Sequence, residues 1–269
     1  MKLSIIIPCY NVALYIDKLL NILIEQSQNY NVEIVTINDG SNDNTLSILN
    51  EYSTLCNKIK VINQEKNMGV IYTRNTGLSH ASGDYIWSID GDDSIADNAI
   101  QTIFKELNNK DYDVLNIGLN EILADKIIRA YSFHSSLYTG QEAFAKYYIP
   151  AYLMIRIIKR SFLVQHNIRY ELIPEDEDFL LSVHRYAQSY KFIPNPLYCY
   201  IKKQDSFSKR TAIHAEYYNG YFKILKKYFK DKEGATEISI SSTVIAAPFS
   251  LVDFVVEVDE NRDPIVLQL

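Results

Sequence analysis

Ser4-Ile-Ile-Ile-Pro-Cys-Tyr-Asn11 is the stretch on which the fold turns. Lys2 to Ile7 is a short β-branched run that reads as a buried strand, and Pro8 ends it just before a polar loop. The same unit then recurs. Val12 to Gln26 sets Ile16, Leu19, Leu20 and Leu23 at helical spacing, and Val32 to Ile37 is a second strand. Asn42 to Cys56 is a second helix, with Leu46, Leu49, Tyr52 and Cys56 on one face and Asp43 or Asn44 able to cap its start. Ile59 to Ile62, Gly69 to Ala81 and Tyr85 to Ile89 continue as strand, helix, strand. This alternation predicts an α/β fold with a parallel sheet and helices on both faces. Ligands of such sheets bind beyond the carboxyl ends of the strands. Here those ends carry Pro8-Cys9-Tyr10-Asn11, Asn38-Asp39-Gly40-Ser41 and Asp90-Gly91-Asp92-Asp93, three polar groups delivered to one edge.

Beyond residue 93 the pattern changes. Ser94 to Leu107 reads as an amphipathic helix, and Val114 to Leu119 and Lys126 to Phe133 as strands of a mixed region. Gly140 to Tyr148, Ile157 to His166 and Asp178 to Ala187 read as helices, and Pro196 to Ile201 as a strand. His214 to Lys232 reads as a helix that mixes tyrosines and phenylalanines with five lysines. The stretch from Gly234 onward has strand-like pieces at Glu237 to Ile245 and Leu251 to Val258.

The 269 residues are 47% hydrophobic and 22% charged, a globular balance with enough length for a real core. A net charge of −6 argues against nucleic acid as a partner. The three cysteines, Cys9, Cys56 and Cys199, have no disulfide or zinc spacing and fit a cytoplasmic setting. No apolar run reaches the ~18 residues of a spanning helix, since Val244 to Val258 is short and carries Asp253. Leu3 to Ile7 is too brief for a secretory leader. The five histidines show no ligand spacing, and only His184 lies near a candidate residue, two turns after Asp176.

Several residues invite chemistry, each beside a plainer role. Asp90 and Asp92 across Gly91 offer hard oxygen ligands for Mg²⁺ or Mn²⁺, which would bridge to a diphosphate, while the same residues also suit a turn and a helix cap by Asp93 or Ser94. Asp39 is able to accept the N3–H of a uracil ring, or simply to make an Asx turn. Arg74 is a planar donor for a base or diphosphate, or a surface arginine paired with an acid. Glu175-Asp176-Glu177-Asp178 is a solvated helix start, or holds a general base for an acceptor hydroxyl.

Taken together, Ser4 to Asn11, Ile37-Asn-Asp-Gly-Ser-Asn-Asp-Asn-Thr45, Asn67-Met-Gly69 with Arg74-Asn-Thr-Gly-Leu78, Gly83-Asp-Tyr-Ile86 and Asp90-Gly-Asp-Asp93 resemble family 2 glycosyltransferases of the GT-A fold, in order and in spacing. The resemblance is dense over residues 3–95, sparser over 96–210 and absent beyond about 232. It implies a nucleotide-sugar-binding half at 1–95, an acceptor-binding half of the same domain at 96–210, and a helical C-terminal extension at 211–269. It implies a UDP-sugar donor held by Pro8, Tyr10, Asn11, Asp39, Asn67, Arg74, Asp90 and Gly91, with Mn²⁺ or Mg²⁺ on Asp92. Glu175-Asp176 followed by Phe179 matches the E-D-x-x-F pattern, which implies Asp176 as base with Glu175 beside it. Tyr198 to Ser206 resembles the tyrosine-rich strand and basic loop, which puts Lys202, Lys203 and Ser206 at the diphosphate.

Three departures stand out. Lysines replace the usual arginine of the basic loop, Met154 stands where the family often has tryptophan, and Asn38 replaces a frequent aspartate. The implied activity is inverting transfer of a hexose or N-acetylhexosamine to a saccharide hydroxyl in bacterial surface-polysaccharide assembly. A non-catalytic scaffold that binds the same donor is the alternative. A phosphoacceptor receiver domain is set aside by length, and a dinucleotide-binding enzyme by the absence of G-x-G-x-x-G after the first strand. The basic aromatic helix 214–232 is able to lie on the inner face of a membrane or to pack on the domain. Residues past 232 leave a homodimer element and a tail both open.

Overall fold

The computed structural model describes residues 1–108, 110–147 and 152–203, together with residues 223, 224 and 227 and two short strands near the end. The first strands follow the expected alternation: β1 (Leu3–Cys9), α1 (Ile16–Ser27), β2 (Val32–Asp39), α2 (Thr45–Leu55), β3 (Ile59–Gln64), α3 (Val70–His80) and β4 (Tyr85–Ser88). β1 pairs in parallel with both β2 and β4, and β2 with β3. The isoleucines of β1 are buried on both faces, as a parallel strand sandwiched between helices requires. On one face Gly77 lets α3 lie close: a Cβ there would sit 2.3 Å from Ile6 Cγ2 and 3.1 Å from Ile37 Cδ1.

After β4 come β5 (Ser94–Ile95), α4 (Ala99–Leu107), β6 (Val114–Leu123), β7 (Lys126–Tyr131), β8 (Ser136–Tyr138), α5 (Gly140–Tyr147), β9 (Arg156–Lys159), α6 (Arg160–Gln165), α7 (Glu175–Tyr186) and β10 (Tyr190–Ile201). The strand order is β3-β2-β1-β4-β9-β6-β10-β5, with β7 on β6 and β8 on β10. One sheet therefore runs through both halves. It is parallel from β3 to β4. Beyond that it is mixed, since β9 runs antiparallel to β4 and β6 while β10 runs parallel to β6. The strands β11 (Phe254–Val256) and β12 (Ile265–Leu267) form a separate antiparallel pair.

Three expectations are corrected here. Ser94 and Ile95 are not helical; they pair with Cys199 and Tyr198 of β10, and α4 begins only after Asn98, which takes a left-handed conformation at φ 59°. Ile157 and Ile158 are strand, not helix: β-branched residues buried between β4 and β6 satisfy the sheet ladder, and the helix starts at Arg160. α7 begins at Glu175, three residues before the expected Asp178. The chain's one tryptophan, Trp87, is fully buried on β4 and donates its indole N–H to the Met154 carbonyl at 2.7 Å. Met154 is itself buried, so it offers no stacking platform.

Of segment 214–232, Lys223, Ile224 and Lys227 are described, and all three are helical. Ile224 is buried, and Lys227 bonds Glu171 and Asp178, so at these positions the segment rests on the domain. The remainder of that segment, Ser206, and the homodimer element considered past 232 lie outside the described residues, β11 and β12 apart. Among the described residues no helix is long and apolar enough to cross a membrane.

Candidate active site

At the carboxyl ends of β1 and β2 the loops are tied to each other. Asn11, at φ 53°, donates its backbone N–H to Ser41 Oγ (3.1 Å) and accepts from the Asn42 N–H on Oδ1 (2.8 Å). Asp39 is almost fully buried, and its carboxylate accepts the backbone N–H groups of Met68 (2.6 Å) and Gly69 (3.2 Å). Asn67 Oδ1 accepts from the same Gly69 N–H at 3.0 Å. These contacts are long-range rather than the local Asx turn anticipated for Asp39, and each carboxylate oxygen keeps a second lone pair. Pro8 is half-buried, and the Tyr10 ring is 46% exposed beside it. Asn38 donates an amide N–H to Asn63 Oδ1 at 2.8 Å, a neutral pair at a position where carboxylate is frequent.

The acidic end of β4 meets α7 through one side chain. Arg74 on α3 is 7% exposed and holds three carboxylates: Nη2 donates to Asp90 Oδ1 (3.3 Å), while Nη1 donates to Glu175 Oε1 (3.3 Å) and to Asp176. Its guanidinium lies 5.6 Å from the centre of the Tyr170 ring. Tyr170 is in turn stacked on Phe179 at 4.2 Å, which gives the phenylalanine of the E-D-x-x-F segment a physical task. Asn75, next to Arg74, clasps the Tyr170 backbone with both amide atoms, at 2.8 and 3.1 Å. Arg74 therefore faces acids, where a donor-binding residue was expected. It is not the exposed arginine of the plainer reading either. Nor is the acidic run a solvated helix start: Glu175, Glu177 and Asp178 are buried, and Asp178 is held by Leu172 N–H and Lys227.

Burial raises the Asp176 carboxyl to about 8, with Glu175 and Asp90 adding to the effect and Arg74 opposing it. Asp90 is raised as well, by burial first, against the pull of Arg74. Burial works against the charge on Arg74, yet Asp176, Asp90 and Glu175 together hold it well above its ordinary value.

Asp92 and its neighbour face different ways. The Asp92 side chain is 40% exposed and pairs with Lys203, whose ammonium also lies 3.6 Å from the centre of the Tyr15 ring. Asp93 is buried and accepts Tyr198 Oη–H (2.6 Å) and Ile201 N–H (2.8 Å), so it does not cap a helix as expected. Burial lifts its carboxyl well above the usual range, with Asp90 and Asp92 adding. Tyr198 Oη also accepts the Asp90 N–H at 3.3 Å. Lys202, expected at the diphosphate, instead has its ammonium on the buried Glu121 (2.9 Å), on a different acid from Lys203. Neighbouring side chains of an extended segment point to opposite sides, so one of two consecutive lysines turns away. Gly91 lies in the turn between Asp90 and Asp92 and packs by the Pro8 carbonyl.

Tyr170, Asn75 and Tyr15 were not singled out in the sequence, and Asp93 was read there only as a helix cap. An acidic run of Asp92-Asp93 preceding a tyrosine-rich strand was the one available signal for Asp93. His184 packs away from this rim, stacked on Tyr190 at 4.9 Å, and burial depresses its basicity to about 3.

Residues 4–153 match the family model described as glycosyl transferase family 2. The chain is 28% identical over 220 residues to the uncharacterized glycosyltransferase EpsJ of Bacillus subtilis, covering 77% of this chain and 62% of that one. It is 32% identical over 225 residues to glycosyltransferase GlyA of Streptococcus pneumoniae, covering 77% of this chain and 32% of that one. Against these relatives it spans less than two thirds of their length. Among solved structures, S. aureus TarS residues 1–349 in complex with UDP-GlcNAc superposes with a TM-score of 0.71 at 24% identity, over 83% of this chain and 65% of that one. That superposition shows the GT-A fold. With the match covering more than half of its length, and with the strand ends gathered as described, the chain belongs to glycosyl transferase family 2.

Proposed function

We propose that the chain transfers a hexosyl or N-acetylhexosaminyl group from a UDP-sugar to a saccharide hydroxyl in a single inverting step, within bacterial surface-polysaccharide assembly. The observation that carries this reading is the Arg74 bridge. One guanidinium touches Asp90 at the end of a donor-half strand and Asp176 at the start of α7, so the two carboxylates stand side by side. Asp39, Asn67, Asn11 and Tyr10 form the wall for the nucleotide. TarS, which shares the fold, has been solved with UDP and with UDP-GlcNAc, and this supports uracil as the base of the donor.

Asp176 takes the proton of the acceptor hydroxyl as its oxygen attacks the anomeric carbon from the face opposite the diphosphate. Its raised basicity suits that task, since a base near neutrality combines availability with driving force. Arg74 orients Asp176 and keeps the cluster from flying apart. Lys203 faces the developing charge of the leaving diphosphate.

A divalent cation fits the rim. Asp92 is the most solvent-open of the acids gathered there, its side chain 40% exposed against 33% for Asp90, 14% for Asp176 and 11% for Glu175. Among the described residues no set of three side chains makes a complete cage. Mg²⁺ and Mn²⁺ are commonly held by one or two carboxylates with substrate phosphates supplying the rest. When bound there, such a cation would supply electrostatic stabilisation of the leaving diphosphate. A panel of UDP- and GDP-sugars with Mn²⁺, scored by thermal shift and then by transfer to oligosaccharide acceptors, tests the reading. Stabilisation by UDP-sugars above GDP-sugars is expected, and no response to any UDP-sugar would overturn it.

A further inference from the structure

The Lys203 ammonium is shared between two unlike partners. The ammonium rests on Asp92 and under the Tyr15 ring, a carboxylate on one side and a π face on the other. Lys203 and Asp92 are both at the edge of solvent, with side chains 20% and 40% exposed. Just before Lys203, the chain is anchored: Asp93, buried, grips Tyr198 Oη and Ile201 N–H. Thus two adjacent aspartates hold one segment in different ways. Asp93 fixes the end of β10, and Asp92 holds the tip of a side chain that begins two residues later.

We propose that Lys203 is the resident counter-cation of Asp92 in the donor-free protein, and that it yields this place to a divalent cation when the donor diphosphate arrives. This rests on the reading of Asp92 as the cation ligand. An ammonium suits the task better than a guanidinium. It is a compact point charge on a flexible stem, with no planar fork to lock it onto a carboxylate. Released from Asp92, it stays within reach of the same rim because Ile201 is fixed, and it finds a new partner in phosphate oxygens. The protein thereby keeps Asp92 neutralised while empty, and free metal competes poorly for it until the diphosphate supplies further ligands.

The test is Mn²⁺ binding to the full chain, followed by electron paramagnetic resonance, with and without UDP. In the absence of UDP, Lys203→Gln is expected to bind Mn²⁺ about fivefold more tightly than the parent, the equivalent of one partly exposed ion pair. With saturating UDP the order reverses, and Lys203→Gln binds Mn²⁺ more weakly. Lys203→Arg keeps a cation whose planar fork holds the carboxylate more firmly, and without UDP it is expected to bind Mn²⁺ no more tightly than the parent. Tyr15→Leu loosens the ammonium and shifts Mn²⁺ affinity in the same direction as Lys203→Gln by a smaller factor. Unchanged or weaker Mn²⁺ binding by UDP-free Lys203→Gln overturns the proposal. Asp92→Asn separates this failure from a deeper one: if the parent and Asp92→Asn bind Mn²⁺ equally with UDP present, Asp92 is not the cation ligand and both readings fall.

Discussion

From β1 to β4 the chain lays down strands whose loops all open at one rim, each after a helix that returns it to the start. From β6 to β10 it does something else. β9, late in the chain, slips antiparallel between β4 and β6, and β10 lies on the far side of β6. In the first region a residue's place in the site follows from its place at the end of a strand. In the second, the site is reached by a helix terminus, α7, and by an arginine that crosses over from the first region. The first region is thus a framework with polar tips, and the second contributes a pair of carboxylates whose position depends on a side-chain bridge.

The sharpest way to break this contrast is Asp176→Asn. Turnover is expected to fall by about 10²–10⁴-fold, the usual worth of a general base, while UDP affinity by calorimetry stays within about twofold. Loss of UDP binding as well would mean that the two regions do not divide the labour this way. Next is Arg74→Gln. It leaves three acids facing one another at a largely buried spot, so urea unfolding is expected to show a loss of about 3 kcal/mol. An unchanged midpoint would mean that the bridge does not join the halves.

The pH response sharpens the same point. A carboxyl raised in the folded state binds its proton more tightly than the unfolded chain does, so its contribution is greatest below about pH 4 and is lost as pH rises through about 8. Asp176→Asn removes that loss. Its melting temperature relative to the parent is expected to climb between pH 5 and pH 9 by about 2–4 °C for each kcal/mol involved, and a flat difference would count against a raised Asp176. Tyr198→Phe deletes one donor to buried Asp93 and is expected to cost about 1–3 kcal/mol, read in the same urea experiment. The smallest effect belongs to Lys202→Gln. With its ammonium on Glu121, the change should leave UDP affinity within about twofold, whereas a tenfold loss would restore Lys202 to the donor site.

The difference between the regions also explains what could be read without coordinates. β1 to β4 were legible because β-branched runs, helical spacing and polar ends coincide in sequence order, and the motif spacing carried the family with them. β9 was missed because Ile157 and Ile158 sit beside an apolar stretch, Phe162 to Val164, that also satisfies helical spacing, and only the neighbouring strands decide between the two. Ser94 and Ile95 were absorbed into a helix because their partners, Tyr198 and Cys199, lie a hundred residues away. Arg74 was singled out as a donor-binding residue, but its acidic partners come from two other segments, and no local pattern announces a buried cation shared by distant acids. Lys202 and Lys203 look alike in sequence, and only the direction of each side chain tells them apart.

Gly77 carries a consequence of its own. It stands one turn along α3 from Arg74, where the helix rides almost on the side chain of Ile6. A single added methyl at this seam would lift the helix like a shim under a hinge plate, and the guanidinium at the other end would rise away from Asp90 and Asp176. The reach of the bridge is therefore set beneath it, in hydrocarbon, by an atom that is missing.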